Sequence, residues 1–167
     1  IVDKSEGRVL SDTEEVFRSW EKKIGWIDTD RTKAVYGFLG QEGSIKLKGL
    51  EIKADTDFAV IAISSLTEDP VSCSDNMLLT AVGRSENTNM KFNETHDEML
   101  DIGTPPIQVE VIEAEIIIKT DVKNLKVWSV NAEGFFAGVI PSVYENGIFR
   151  FKIGECFPSM YYLIQAE

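Results

Sequence analysis

Apolar and polar positions along the chain alternate over short stretches, and turn residues separate those stretches. "EEVFRSW" and "IGWIDT" flank Glu21, Lys22 and Lys23 and predict a β-hairpin. "KAVYGFL" comes next, and then "SIKLKGLEIKA" places Ile45, Leu47, Leu50 and Ile52 in a period-two pattern. "DFAVIAISSL" is apolar on both parities, with Phe58, Val60 and Ala62 on one and Ala59, Ile61 and Ile63 on the other. "MLLTAV" behaves alike. Such continuous apolarity predicts central strands covered on both faces.

The next segment, "GRSENTNMKFNETHDEML", is polar and turn-rich and reads as a surface excursion. The best local helix candidate, short and weak, lies there, around Asn93 to Leu100. Thr104-Pro105-Pro106 forces an extended joint and marks a candidate border between sub-lobes. After it, "IQVEVIEAEIIIKT" is β-branched, with Gln108, Glu110, Glu113 and Glu115 on a polar face. "LKVWSV", "AGVIPSV", "IFRFKI" and "MYYLIQA" complete the strands, and Glu145-Asn146-Gly147 carries a type I′ hairpin signal. Roughly ten or eleven strands without intervening helical patterns predict an all-β antiparallel sandwich, taken as one module over residues 1–167.

Charge narrows the partners. With 17 basic and 28 acidic residues the net charge is −11, and the basic residues are scattered. Nucleic acid and anionic membrane surfaces are disfavoured, whereas a neutral sugar is indifferent to that charge. No run of about 18 apolar residues is present to span a bilayer. The opening "IVDKSEGRVL" lacks the basic-then-apolar order of a signal peptide and reads as the start of a module within a longer protein. Cys73 and Cys156 are too few for a disulfide framework; buried free thiols are expected, with one long-range disulfide as the alternative.

Candidate chemistry is sparse. His96 is the single histidine and sits in a polar loop, so a catalytic triad would rest on it alone. Carboxylate pairs such as Asp12 with Glu14, or Glu113 with Glu115, arise readily in so acidic a chain, and no phosphate loop or zinc motif accompanies them. The chain is expected not to be an enzyme and to need no cofactor. A structural calcium is conceivable near Asp55, Asp57, Glu68, Asp69 and Asp75, although no loop signature fits.

Aromatic rings are the more promising chemistry, because sugars offer apolar faces to them and hydroxyls to neighbouring polar groups. Trp20 and Trp26 flank the first hairpin turn and are expected to form a cross-strand neighbourhood. They either seal a core edge or interface, or stack on sugar. With Asp28, Arg31 and Tyr36 they make the candidate ligand-binding set. Trp128 is expected to fill the core or an interdomain seam, and Phe135 and Phe136 to form an exposed tip or a contact with a neighbouring domain. Tyr161 and Tyr162 point to opposite faces, so one should be buried.

"SDTEEVFRSWEKKIGWIDTDRTKAVYGFLG", "MLLTAVGRSENTNMKF", "GTPPIQVEVIEAEIIIKT" and "LKVWSVNAEGFFAGVIPSVYENGIFRFKIG" resemble, in that order, the β-sandwich region following the (β/α)8 barrel in a group of bacterial secreted glycoside hydrolases. The resemblance runs from Val9 to the end. Asp30 stands where that family tends to have proline, and Asn89 where it tends to have glycine; Gly25 and Trp26 fill a strand usually made of ordinary strand formers. The resemblance implies an extracellular, non-catalytic accessory module that binds polysaccharide or oligosaccharide, its catalytic carboxylates lying on a barrel absent from this chain. A purely structural domain that packs on and stabilises the barrel is one alternative, and a cell-surface adhesion or scaffold domain another. The structural alternative predicts an exposed apolar patch involving Trp128, Phe135 and Phe136.

Overall fold

The computed structural model describes residues 1–167, and it is all-β, with antiparallel pairing throughout. The single helical feature is a one-turn 3-10 segment, Leu39–Gln41. No helix is long and apolar enough to cross a membrane.

Strands are numbered in chain order. The larger sheet has ten, in the spatial order β1 (Val2–Asp3), β2 (Arg8–Leu10), β3 (Val16–Ser19), β4 (Ile24–Asp28), β5 (Thr32–Gly37), β8 (Ala59–Ser65), β9 (Asn76–Val82), β19 (Tyr161–Ala166), β15 (Leu125–Val130) and β16 (Phe136–Ile140). The smaller has five: β17 (Ser142–Glu145), β18 (Ile148–Ile153), β14 (Ala114–Lys119), β7 (Leu50–Ala54) and β6 (Ile45–Leu47). Two short ribbons pair β10 (Ser85–Thr88) with β13 (Thr104–Val109), and β11 (Lys91–Phe92) with β12 (Met99–Asp101). The nineteen strands exceed the ten or eleven expected, because several are too short to show a hydrophobic period of their own.

Both sheets take strands from each side of residue 105, with β7 paired to β14 and β9 to β19. The core lies between them. Ile61, Ile63, Met77, Leu79 and Ile164 descend from the larger sheet onto Ile52, Ile116, Ile118, Phe149 and Phe151 of the smaller. Each such side chain contributes about 1.5–3 kcal/mol on leaving water. Tyr162 belongs to this layer and is fully buried, whereas its neighbour Tyr161 is exposed, so adjacent strand positions do face opposite ways. Its phenol donates to the Phe157 carbonyl at 3.2 Å, and burial raises its pKa above the usual tyrosine value.

Turn chemistry closes the hairpins as expected. Asn146 and Gly147 both have positive φ (52° and 79°), as a type I′ turn requires. Asn89, in the place of a glycine in the resembled family, also adopts positive φ, 61°. Asn93 to Leu100 forms no helix: Asn93 accepts the amides of Asp97 and Glu98 and bonds Asp97 through its own side chain, which folds the segment into a tight turn instead. Pro105-Pro106, joined by a cis peptide, falls inside β13.

Two expectations fail. Cys73 and Cys156 are unpaired but exposed, not buried, because both sit in loops outside the layered core. And β8 and β9 are covered on one face only: Ile61, Ile63, Met77 and Leu79 are buried, while Val60, Ala62, Leu78 and Val82 on the other face stay partly open to solvent.

Candidate functional site

The first hairpin turn is one residue longer than its sequence suggests. β3 ends at Ser19, which places Trp20 in the turn rather than on a strand. Trp26 therefore pairs across the ladder with Phe17, and the two rings stack at 5.2 Å. Register carries Trp26 onward to Val35 and then Ile61, the inner row of the sheet, so Trp26 packs against the core. Trp20 is 42% exposed. The expected Trp20–Trp26 neighbourhood does not form, since a turn residue has no partner in the ladder.

Trp20 does share a depression with Tyr36. Arg18, Gly25, Tyr36 and Val60 form one cross-strand row on the outer face. Gly25 has no side chain there, and a Cβ added to it would fall 2.3 Å from the Tyr36 ring, so the ring lies across the glycine. A depression of about 300 Å³ opens beside it, lined by Arg18, Trp20, Lys23, Tyr36, Phe58 and Val60. The Lys23 ammonium stands 5.6 Å from the centre of the Phe38 ring. Neither Arg18 nor Lys23 takes part in an ion pair, although most basic side chains of the molecule do.

Asp28 and Arg31 lie at the other end of the β4–β5 hairpin, about 10 Å or more along the strands at 3.4 Å per residue. Both are engaged. Arg31 pairs with Glu68 at 2.9 Å. Asp28 pairs with Lys33, whose side chain is only 5% exposed, and its second oxygen accepts the Lys48 amide at 2.7 Å. Of the five residues singled out in sequence, the structure brings together Trp20 and Tyr36 alone. Sequence reasoning missed Arg18, Lys23 and Phe58; the ladder position opposite Gly25 would have pointed to Arg18, had the turn been placed one residue earlier.

The conceivable calcium ligands do not converge. Glu68 faces Arg31, Asp57 stands 3.9 Å from Arg84, and no three acidic, histidine or cysteine side chains gather anywhere in the molecule. His96 stacks on Phe92 at 5.4 Å in the turn between β11 and β12.

The outer face of the larger sheet is uncharged over most of its width. One row reads Val16, Ile27, Ala34, Ala62 and Thr80, then Tyr161, Val130 and Phe136. The next reads Thr32, Ser64, Leu78, Leu163, Trp128 and Val139. Trp128 packs on Phe136 at 5.1 Å, and Phe136 is 57% exposed. The outer face of the smaller sheet is the opposite: Lys53, Glu115, Arg150 and Lys152 meet there, with Lys53–Glu115 at 3.0 Å. At one end of this face Val109 of β13 and the following Val111 lie beside Val130 and Tyr161. The smaller sheet occupies the inner side, and β13 is exposed along its whole length.

No family model, curated protein or solved structure matches the chain.

Proposed function

We propose that the chain is a non-catalytic β-sandwich module of a bacterial secreted polysaccharide-degrading enzyme, and that it docks on the enzyme's catalytic (β/α)8 barrel through the uncharged face of its ten-stranded sheet. One observation carries the docking. β8 and β9 have the composition of strands covered on both sides, yet this chain covers one side. An apolar sheet face rimmed by polar groups marks a binding surface rather than a solvated one. The two faces of the sandwich make the contrast internal: one carries paired charges, the other Trp128, Phe136, Val139, Tyr161 and Leu163. The order of segments resembling the region after such barrels supports the identity of the neighbour.

Trp128→Lys combined with Leu163→Glu tests this. In the isolated module the double variant should keep the wild-type melting temperature and bind less of an apolar dye. In the parent enzyme it should split one cooperative transition into two. Independent melting of module and barrel in the unsubstituted enzyme would overturn the proposal.

A further inference from the structure

The second surface of interest lies on the same face between β3 and β8, the third and sixth strands of the sheet. From Tyr36 to Leu163 there are three strand spacings, about 14 Å, and to β16 five, about 24 Å. Val60 of β8 belongs both to the depression and to the uncharged face, so the depression is open in this chain by itself and a neighbour seated over β8 and β9 would border it.

We propose that this depression is a binding subsite for an acidic sugar, a pyranose bearing a carboxylate such as a uronic acid residue of a polysaccharide. Two features coincide there. The Tyr36 ring, held across Gly25, and the exposed Trp20 indole offer flat apolar surfaces of the kind that receive the C–H face of a pyranose. Arg18 and Lys23 add two cations to the lining. Neither forms an ion pair within the chain. Lys23 stands over the Phe38 ring but has no carboxylate partner, which leaves both cations free to meet an outside anion, and the Arg18 guanidinium matches a carboxylate with two parallel hydrogen bonds.

The site's openness favours a saccharide over other ring-bearing anions. A sugar stacked by one face keeps its hydroxyls in water and needs no deep ring of polar partners. Any polyanion meets the net charge of −11, so the subsite is assigned to one carboxylate at a time. Local screening over about 8 Å lets two nearby cations hold a single carboxylate despite that field.

Titration of the whole chain with trigalacturonate and with a glucuronate-bearing xylo-oligosaccharide, followed by tryptophan fluorescence, tests the assignment; cellotriose and inorganic phosphate serve as neutral and ring-free probes. At least one acidic oligosaccharide should give a saturable change that Trp20→Phe diminishes. Arg18→Gln, an exposed position that leaves folding intact, should weaken binding about tenfold, as the loss of a charge-assisted hydrogen bond does. Affinity should fall as salt is added. The proposal is overturned if neither acidic oligosaccharide binds, if Arg18→Gln binds as the wild type does, or if cellotriose or phosphate binds equally well. Equal cellotriose binding would leave the cations without a role, and equal phosphate binding would leave the rings without one.

Discussion

Asp28 shows how a residue picked for its ligand chemistry turns out to be structural. Its carboxylate neutralises Lys33, which is buried between the sheets on the inner row with Val35, and also caps the Lys48 amide. A buried ammonium that loses its counter-charge is far costlier than a surface pair that opens. Asp28→Asn should therefore lower stability by about 3 kcal/mol in urea unfolding. Lys33→Met should cost clearly less, because the remaining carboxylate keeps the Lys48 amide and lies nearer to solvent. Equal losses would mean that the pair is not what holds this end of the hairpin. Gly25 is the complementary case, a position whose value lies in having no side chain, since the Tyr36 ring takes the space a Cβ would fill.

Among the elements, the hairpin of β3 and β4 and the excursion after β9 divide in how far the sequence foretells them. The hairpin is legible, and its register differs by one position from a Glu21–Lys23 turn: Trp20 belongs to the turn, so Ser19 pairs with Ile24 and Phe17 rather than Arg18 faces Trp26. Turn length sets register, and a single step reassigns every cross-strand partner. The excursion was legible as polar surface chain. Its strands were not, because β10 to β13 pair only with one another and bury too little to imprint a period. No residue from 83 to 111 is buried, and the core resumes at Ile112. Replacing residues 86–108 by a short turn should thus change unfolding free energy by no more than about 1 kcal/mol, the scale of surface changes without buried partners. A loss of cooperative unfolding in that deletion variant would show that the ribbons brace the sandwich.

For the molecule as a whole, the charged and uncharged faces set how it responds to pH and to neighbours. Glu115, on the charged face, has its pKa lowered, chiefly by the hydrogen bond from the Lys53 ammonium and then by the charges of Lys53, Arg150 and Lys152. A lowered folded-state pKa contributes stability that is complete above the unfolded value and is lost as pH falls through the folded one. Asp3 and Asp97 shift the same way, through hydrogen bonds from Ser5 and Thr95. Stability should accordingly decline below about pH 4, the ordinary carboxylate range. Glu115→Gln should flatten that decline while costing only about 0.5 kcal/mol at neutral pH, the worth of a surface pair. Urea titrations at pH 7 and near pH 3 read both effects, and an unchanged acid slope in the variant would exclude Glu115 from the response.

Local pattern was enough for the all-β class, the antiparallel hairpins, the Asn146-Gly147 turn and the opposed faces of Tyr161 and Tyr162, because each depends on neighbours a few residues away along the chain. The fate of individual rings was not local. That Trp26 packs inward, that Trp20 shares a depression with Tyr36 instead, and that β8 and β9 lack a second cover are all consequences of which distant strands lie alongside. Register between those strands is set by the assembled sheets.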